Sequence, residues 1–241
     1  MKICRINCSY PTANSPGQGQ IAFYLSSNIP EPQLWITRKQ EGIDCSQLPD
    51  HVKLLPLSFP RIALSQGRTG FPWRTLKAGY KVLGQMIYFL KSAAHLVRFR
   101  PDIVDIHTPY PILGGLFCKY FLGSKLVVSL HGTDILMLRR SWLMRSLLNK
   151  ADAVLYVSNR MFDELKQFIP VSRLQYIGNG VNMDSFHYKA GHRTKRIVAV
   201  GSLKWQKGYS YLIDAVSRVF ERFPDHNLSI VGEGSLRDEI L

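Results

Sequence analysis

His107 and His131 each stand where an apolar run gives way to a polar turn: His107 closes DIVDIH, and His131 follows LVVSL and opens His131-Gly132-Thr133-Asp134. Imidazole titrates near neutrality and can donate or accept a hydrogen bond, so a histidine so placed suits a sugar hydroxyl or a shared proton. Asp134 suits the cap of the next helix or the orientation of the site. A core ring satisfied by backbone groups is the other reading of each histidine. The strand-end position favours function for His131, and for His107 the two readings stand level.

Three glycine-bearing loops could take an anion. In Ser15-Pro16-Gly17-Gln18-Gly19, Gly17 and Gly19 let backbone approach a phosphate or a sugar ahead of a helix start; a flexible turn is the equal alternative. Ala22 occupies the third glycine's place, and no acidic residue closes the second strand, which argues against nicotinamide binding. In Gly201-Ser202-Leu203-Lys204-Trp205-Gln206-Lys207-Gly208, Lys207 and the amides near Gly208 can neutralise a diphosphate. The Walker order is absent, and a solvated lysine-rich loop is the alternative. Gly232, Glu233 and Gly234 permit close backbone contact with a nucleoside, or form no more than a tight turn between strand and helix.

Other chemistries lack their residues. There is no Ser-His-Asp order, no His-x-x-x-His and no zinc spacing, so no metal site is expected. Asp163 and Glu164 read as a solvated helix face. Cys4, Cys8, Cys45 and Cys118 form no CxxC pair, and buried reduced thiols are expected in a cytoplasmic protein. Formal net charge is +14, which favours anionic partners: phosphates, acidic lipid or nucleic acid. The aromatic residues are scattered, without a stacking platform, so nucleic acid is not expected.

The elements that must hold these residues alternate. Strands are predicted over 2–8, 34–37, 52–57, 102–107, 126–130, 153–157, 174–177, 197–201 and 228–231. Between them lie a long amphipathic helix over 76–98, a short helix containing Gly114 and Gly115, and helices over 142–149, from Ser158 as cap to 168, and over 209–222. In the long helix Leu76, Tyr80, Leu83, Ile87, Leu90, Ala94 and Val97 mark the apolar face, opposite a basic outer face. Pro101 stops it. Its outer face fits acidic lipid or plain solvent. Strands alternating with helices give an α/β class with a parallel sheet covered on both faces, whose ligands bind beyond the carboxyl strand ends.

A polar, basic stretch over 185–194 marks a boundary between a Rossmann-like domain, 1–187, and a partial second Rossmann-like unit, 188–241. One strand-helix-strand falls short of a domain of roughly 100 residues. The expectation is a fragment, or a unit that a second chain completes. No apolar run reaches the roughly 20 residues of a membrane span, and no leader is read at the N-terminus.

RPDIVDIHTP (100–109), LHGTDI (130–135), KADAVLYVSN (150–159), IGNGVNMDSF (177–186), VGSLKWQKGYSYLIDAV (200–216) and VGEGSLRDEI (231–240) together resemble glycosyltransferase family 4, with its GT-B fold. The resemblance implies that the first domain binds the acceptor and the second a nucleotide-sugar donor. Transfer then takes place in a cleft, with retention and without a bound metal or cofactor beyond the nucleotide-sugar co-substrate. It matches His131 to the histidine that contacts the transferred sugar and Lys207 to the lysine that grips the diphosphate. Gly17 and Gly19 would face the diphosphate and the acceptor. Ser202 stands where many relatives carry arginine, which shifts positive charge onto Lys207 and Lys204. Asn182 replaces the common aspartate. The family's E-x7-E segment would lie beyond residue 241. The expected function is transfer of a sugar to a glycan or lipid-linked acceptor by a truncated or split enzyme. It is expected in the cytoplasm or peripheral to the inner face of the membrane. The alternative is a non-catalytic glycan- or partner-binding remnant.

Overall fold

The computed structural model describes residues 1–7, 20–39, 48–58, 71–132, 134–180, 183, 191 and 194–240. Gly17, Gly19, Cys8, Cys45 and Asn182 lie outside the described residues. The chain divides into two compact units, Met1–Val181 and Asn182–Leu241.

The first unit is built on seven parallel strands. In chain order these are β1 (Ile3–Asn7), β2 (Gln33–Arg38), β3 (Val52–Leu57), β4 (Ile103–His107), β5 (Lys125–Leu130), β6 (Ala153–Tyr156) and β7 (Leu174–Tyr176). Their order across the sheet is β3-β2-β1-β4-β5-β6-β7. The winding reverses between β1 and β4, and in such sheets a crevice opens at that reversal, beyond the carboxyl ends. Helices α1 (Gln20–Asn28), α2 (Phe71–Phe99), α3 (Ile112–Leu122), α4 (Asp134–Arg140), α5 (Trp142–Leu148) and α6 (Asn159–Leu165) intervene.

Ile6, Val104, Ile106, Leu126, Val128 and Leu130 are fully enclosed, as a sheet covered on both faces requires. Each such side chain contributes about 1.5–3 kcal/mol through burial. Gly114 and Gly115 explain how α3 seats on that sheet. A β carbon at Gly114 would lie 3.2 Å from Ile6 Cδ1, and one at Gly115 2.6 Å from Leu126 Cδ1. Gly123, left-handed at φ 75°, ends the helix by donating its amide to the Cys118 carbonyl. Ser141 caps α5 by accepting from the Met144 amide at 3.2 Å.

Three sequence expectations change. The long helix forms, but its buried stripe is Gly84, Tyr88, Ser92 and Leu96, while Leu83, Leu90, Ala94 and Val97 are exposed. Spacing alone finds an apolar stripe; the buried one is narrower, with period four and small residues, and Tyr88 and Leu96 on it join the main core, while the neighbouring Phe89 stands edge-on to Phe117 of α3 at 5.3 Å. Ser158 precedes α6 without a side-chain capping bond. Glu164 is not part of a solvated face: it pairs with Arg139 at 2.7 Å and ties α6 to α4.

The second unit contains parallel β8 (Arg196–Val200) and β9 (Asn227–Val231), with α7 (Tyr209–Arg222) between them and α8 (Arg237–Ile240) after. Alternation places Ile197 and Ala199 on one sheet face and Val198 and Val200 on the other. Val198 and Val200 are exposed, as is Val231. Gly208, at φ 70°, turns the chain into α7.

Candidate functional site

His107 and Asp105 lie two residues apart on β4 and so share one face of the sheet. On that face the His107 Nε2 lies 3.1 Å from Asp105 Oδ2, and the Ser129 hydroxyl donates to Asp105 Oδ1 at 3.4 Å. Arg5, opposite Asp105 in the register of β1 and β4, brings its guanidinium to 3.7 Å. Burial acts to raise the Asp105 pKa. The charge of His107, its hydrogen bond, Arg5 and Ser129 outweigh burial and hold the carboxyl below its ordinary value. Arg5 is only 2% exposed; burial lowers its pKa, against the opposing pull of Asp105. Two opposite charges therefore meet in the core, each reducing the other's desolvation cost.

The chain of contacts continues outward. His107 Nδ1 lies 3.2 Å from His131 Nε2. The ring planes lie 10° from parallel with centroids 5.5 Å apart, so the two imidazoles meet edge to edge through these nitrogens. His107 is 3% exposed, whereas His131 is half-buried just past β5. Burial, then the neighbouring His107, lowers the His131 pKa, against a raising effect of Asp105. The His131 amide donates to Asp134 Oδ2 at 2.7 Å. Asp134 thus fixes the turn at the start of α4, with Gly132 at φ 41°. Burial raises the Asp134 pKa, against that amide bond. After His107 the backbone breaks sharply: Thr108 takes φ 89°, rare for a β-branched residue, and its amide donates to the Ser129 carbonyl at 3.0 Å.

Beside this cluster a cavity of about 270 Å³ opens between α4 and α6. Gly132, Ile135, Arg139, Ser158, Arg160 and Glu164 are among its lining residues. Its two arginines give it a positive rim, offset by Glu164.

In the second unit the predicted loops meet. The Gly201 amide donates to the Val231 carbonyl at 3.0 Å, the Leu203 amide to the Glu233 carbonyl at 2.9 Å, and the Leu236 amide returns to Leu203 at 3.1 Å. A β carbon on Gly234 would lie 2.2 Å from the Leu203 carbonyl oxygen, so Gly232 and Gly234 serve backbone approach. Glu233 pairs with Arg237 at 2.9 Å. Lys204 and Lys207 are exposed on the same loop system, Lys207 ending a 3-10 turn closed by Gly208. The loops join beyond the carboxyl ends of two parallel strands, the expected place for a ligand.

The structure thus gathers His107, His131 and Asp134 in the first unit, and Lys204, Lys207, Gly232, Glu233 and Gly234 in the second. Sequence reading missed Arg5, Asp105 and Ser129. The i, i+2 spacing within DIVDIH was a usable signal for Asp105; Arg5 and Ser129 needed strand register. Among the described residues no three His, Cys, Asp or Glu side chains converge as a metal site.

Residues 59–185, just over half of the chain, match the model of Glycosyltransferase Family 4. A glycogen synthase of Mycobacterium tuberculosis is 23% identical across the whole of this chain and 64% of its own length. Sucrose-phosphate synthase from Thermosynechococcus elongatus superposes with a TM-score of 0.67 at 14% identity, covering 96% of this chain and 62% of that one. The Anabaena protein HepE, in complex with UDP and glucose, gives 0.67 at 18% identity over 99% and 63%. Starch synthase IV of Arabidopsis thaliana, bound to ADP and acarbose, gives 0.65 at 11% over 96% and 68%. The α/β architecture is that of GT-B glycosyltransferases. The chain spans about 64% of the curated relative's length.

Proposed function

The chain belongs to glycosyltransferase family 4, and from that premise we propose that it serves transfer of a sugar from a nucleotide-sugar donor to a glycan or lipid-linked acceptor, with retention. The observation that carries this reading is the strand-end cluster of His107, His131 and Asp134 beyond β4 and β5, on a sheet of the family's type. The second unit adds two exposed lysines over a pinned pair of loops. In this reading Lys207, aided by Lys204 where Ser202 supplies no charge, neutralises the diphosphate that leaves as the sugar carbon becomes cationic. His131 contacts the transferred sugar. The only small-molecule requirement is the nucleotide sugar itself, with no bound metal. Gly17 and Gly19 serve both the diphosphate and the acceptor in this reading, and residues 188–241 belong to the donor side.

Calorimetric titration of the chain with UDP, ADP and GDP tests it. Saturable binding of one of them, weakened at least about tenfold by Lys207→Ala, is expected, since a charge-assisted contact contributes about 1.5–3 kcal/mol. Glycan binding without any nucleotide binding would instead favour the non-catalytic glycan-binding remnant.

An acidic membrane surface on the cytoplasmic side is a second partner in this reading, favoured by α2. No Asp or Glu occurs between Asp50 and Asp102. Leu83, Met86, Leu90 and Val97 form an exposed apolar stripe beside exposed Lys91 and Arg98, a pairing suited to an interface of anionic headgroups. No helix among the described residues is long and apolar enough to cross a membrane. Co-sedimentation with phosphatidylglycerol vesicles, lost with phosphatidylcholine and with Lys91→Glu/Leu90→Ser, is the expected result. Equal binding to both lipids, or to neither, overturns it.

A further inference from the structure

Every carboxylate on α4 and α6, the two helices that flank the cavity, is already engaged. Asp134 accepts from the His131 amide at 2.7 Å, Asp163 accepts from Lys166 at 2.8 Å, and Glu164 pairs with Arg139 at 2.7 Å. Glu164 stands one helical turn from Arg160, the spacing at which helix ion pairs form. Its carboxylate turns across to Arg139 on α4 instead. Arg160 therefore lines the cavity exposed and with no ion-pair partner among the described residues. Ser158 lines it too, and its hydroxyl is spent on no capping bond. Ile135 and Met161, both buried, add apolar wall. Gly132 borders the cavity directly after His131, and a β carbon there would meet nothing within 4 Å. A volume of about 270 Å³ lies just below the roughly 300–1,000 Å³ of drug-sized sites. It suits a single sugar ring with one charged substituent.

We propose that this cavity binds a sugar that carries an oxyanion, a phosphate or a carboxylate, with Arg160 as the pairing cation and Ser158 as a hydrogen-bond donor. A guanidinium presents its donors in a fork that matches either oxyanion. Arg139 and Glu164 neutralise each other and serve as wall, so the net charge facing an occupant is that of Arg160. Ile135 and Met161 face the apolar side of the ring, as apolar linings do in sites where a few polar groups fix orientation. The cavity borders the turn that carries His131, so its occupant belongs to the acceptor side of the transfer proposed above. That identification rests on the proposed function; the anion site itself does not.

Glucose 6-phosphate, glucuronate and glucose form a matched set of probes that differ in carrying a phosphate, a carboxylate or a hydroxyl on the same ring carbon. Each is titrated into the nitrogen-labelled full chain while the amide signals of Gly132, Ser158 and Arg160 are followed. At least one charged sugar is expected to shift these signals saturably, and glucose is not. Which charged sugar does so distinguishes phosphate from carboxylate. No response to either, or an equal response to glucose, overturns the proposal. Arg160→Gln is expected to weaken binding at least about tenfold, the effect of losing one charge-assisted hydrogen bond. Arg160→Lys keeps the charge and is expected to recover part of that loss. Unchanged affinity in Arg160→Gln, or a lysine variant as weak as the glutamine one, overturns the role of Arg160. Should either variant fail to fold, the three probes on the wild-type chain still decide. Lys207→Ala is expected to leave the shifts intact; their loss would move the anion to the second unit and overturn the assignment. Nucleotide binding is read separately, so a chain that binds UDP but neither charged sugar fails here alone.

Discussion

A β carbon on Gly232 would lie 1.9 Å from the carbonyl oxygen of Gly201, so the loops after β8 and β9 touch backbone to backbone. No side-chain motion can relieve that clash. Gly232→Ala is therefore expected to cost more than the roughly 1–3 kcal/mol of ordinary overpacking. Hydrogen exchange should show the loss first at the amides of Gly201 and Leu203, which donate to Val231 and Glu233. Unchanged protection at both amides would contradict this account of the glycine.

Gly115→Ala presses on the far end of a flexible side chain, Leu126 Cδ1 at 2.6 Å, and Gly114→Ala meets Ile6 Cδ1 at the milder 3.2 Å. Leu126 and Ile6 are enclosed in the core, so neither can move far. Gly115→Ala is expected to destabilise by about 1–3 kcal/mol and Gly114→Ala by less. Denaturant midpoints of the two variants check the order.

Stability should fall as the solution is acidified through the range where His131 titrates. Its folded pKa lies below the ordinary 6.5, so between the two values the unfolded chain binds more protons and acid favours unfolding. The stabilisation is complete above 6.5 and is lost as pH falls towards the folded value. Asp105 acts with the same sign at lower pH, because its folded pKa is also depressed. Asp134, raised by burial, acts oppositely: its favourable contribution is present below its ordinary 3.8 and fades as pH rises through the folded value. Melting temperatures from about pH 7.5 to about pH 5.5 should therefore decline, and His131→Asn should flatten that decline.

Cys4 and Cys118 should be chemically silent in the native chain. Both are fully enclosed and unpaired. Burial pushes the Cys118 thiol up to about 12 and raises that of Cys4 as well. Thiolates are the reactive form, so a maleimide should label neither residue until denaturant is added. Mass spectrometry of the labelled peptides distinguishes these two sites from the other cysteines.

The alternation of strands and helices was legible because each strand is a short apolar run closed by a turn. The range 52–57 agrees end to end with β3, and 209–222 with α7. The short α4 was not expected, because Asp134–Arg140 owes its form to the His131–Asp134 turn rather than to a long periodic pattern. The buried face of α2 was misread for a related reason. Its sequence offers two stripes, and only tertiary packing, which draws Tyr88 and Leu96 into the main core, chooses Gly84, Tyr88, Ser92 and Leu96 over the more apolar one. At the site, residue type and strand-end position singled out His131 and Asp134. Arg5 and Ser129 stayed invisible because they reach Asp105 from neighbouring strands, a relation that exists only after pairing.

The left-handed backbone at Thr108 turns the end of β4 into a trade between sturdiness and aim. A β-branched residue held at φ 89° stores on the order of 1–3 kcal/mol, and glycine there would release much of it. The same substitution would slacken the join immediately after His107, and with it the angle at which one imidazole meets the other. A hardier Thr108→Gly protein with blurred ring geometry is the bargain this bend declines.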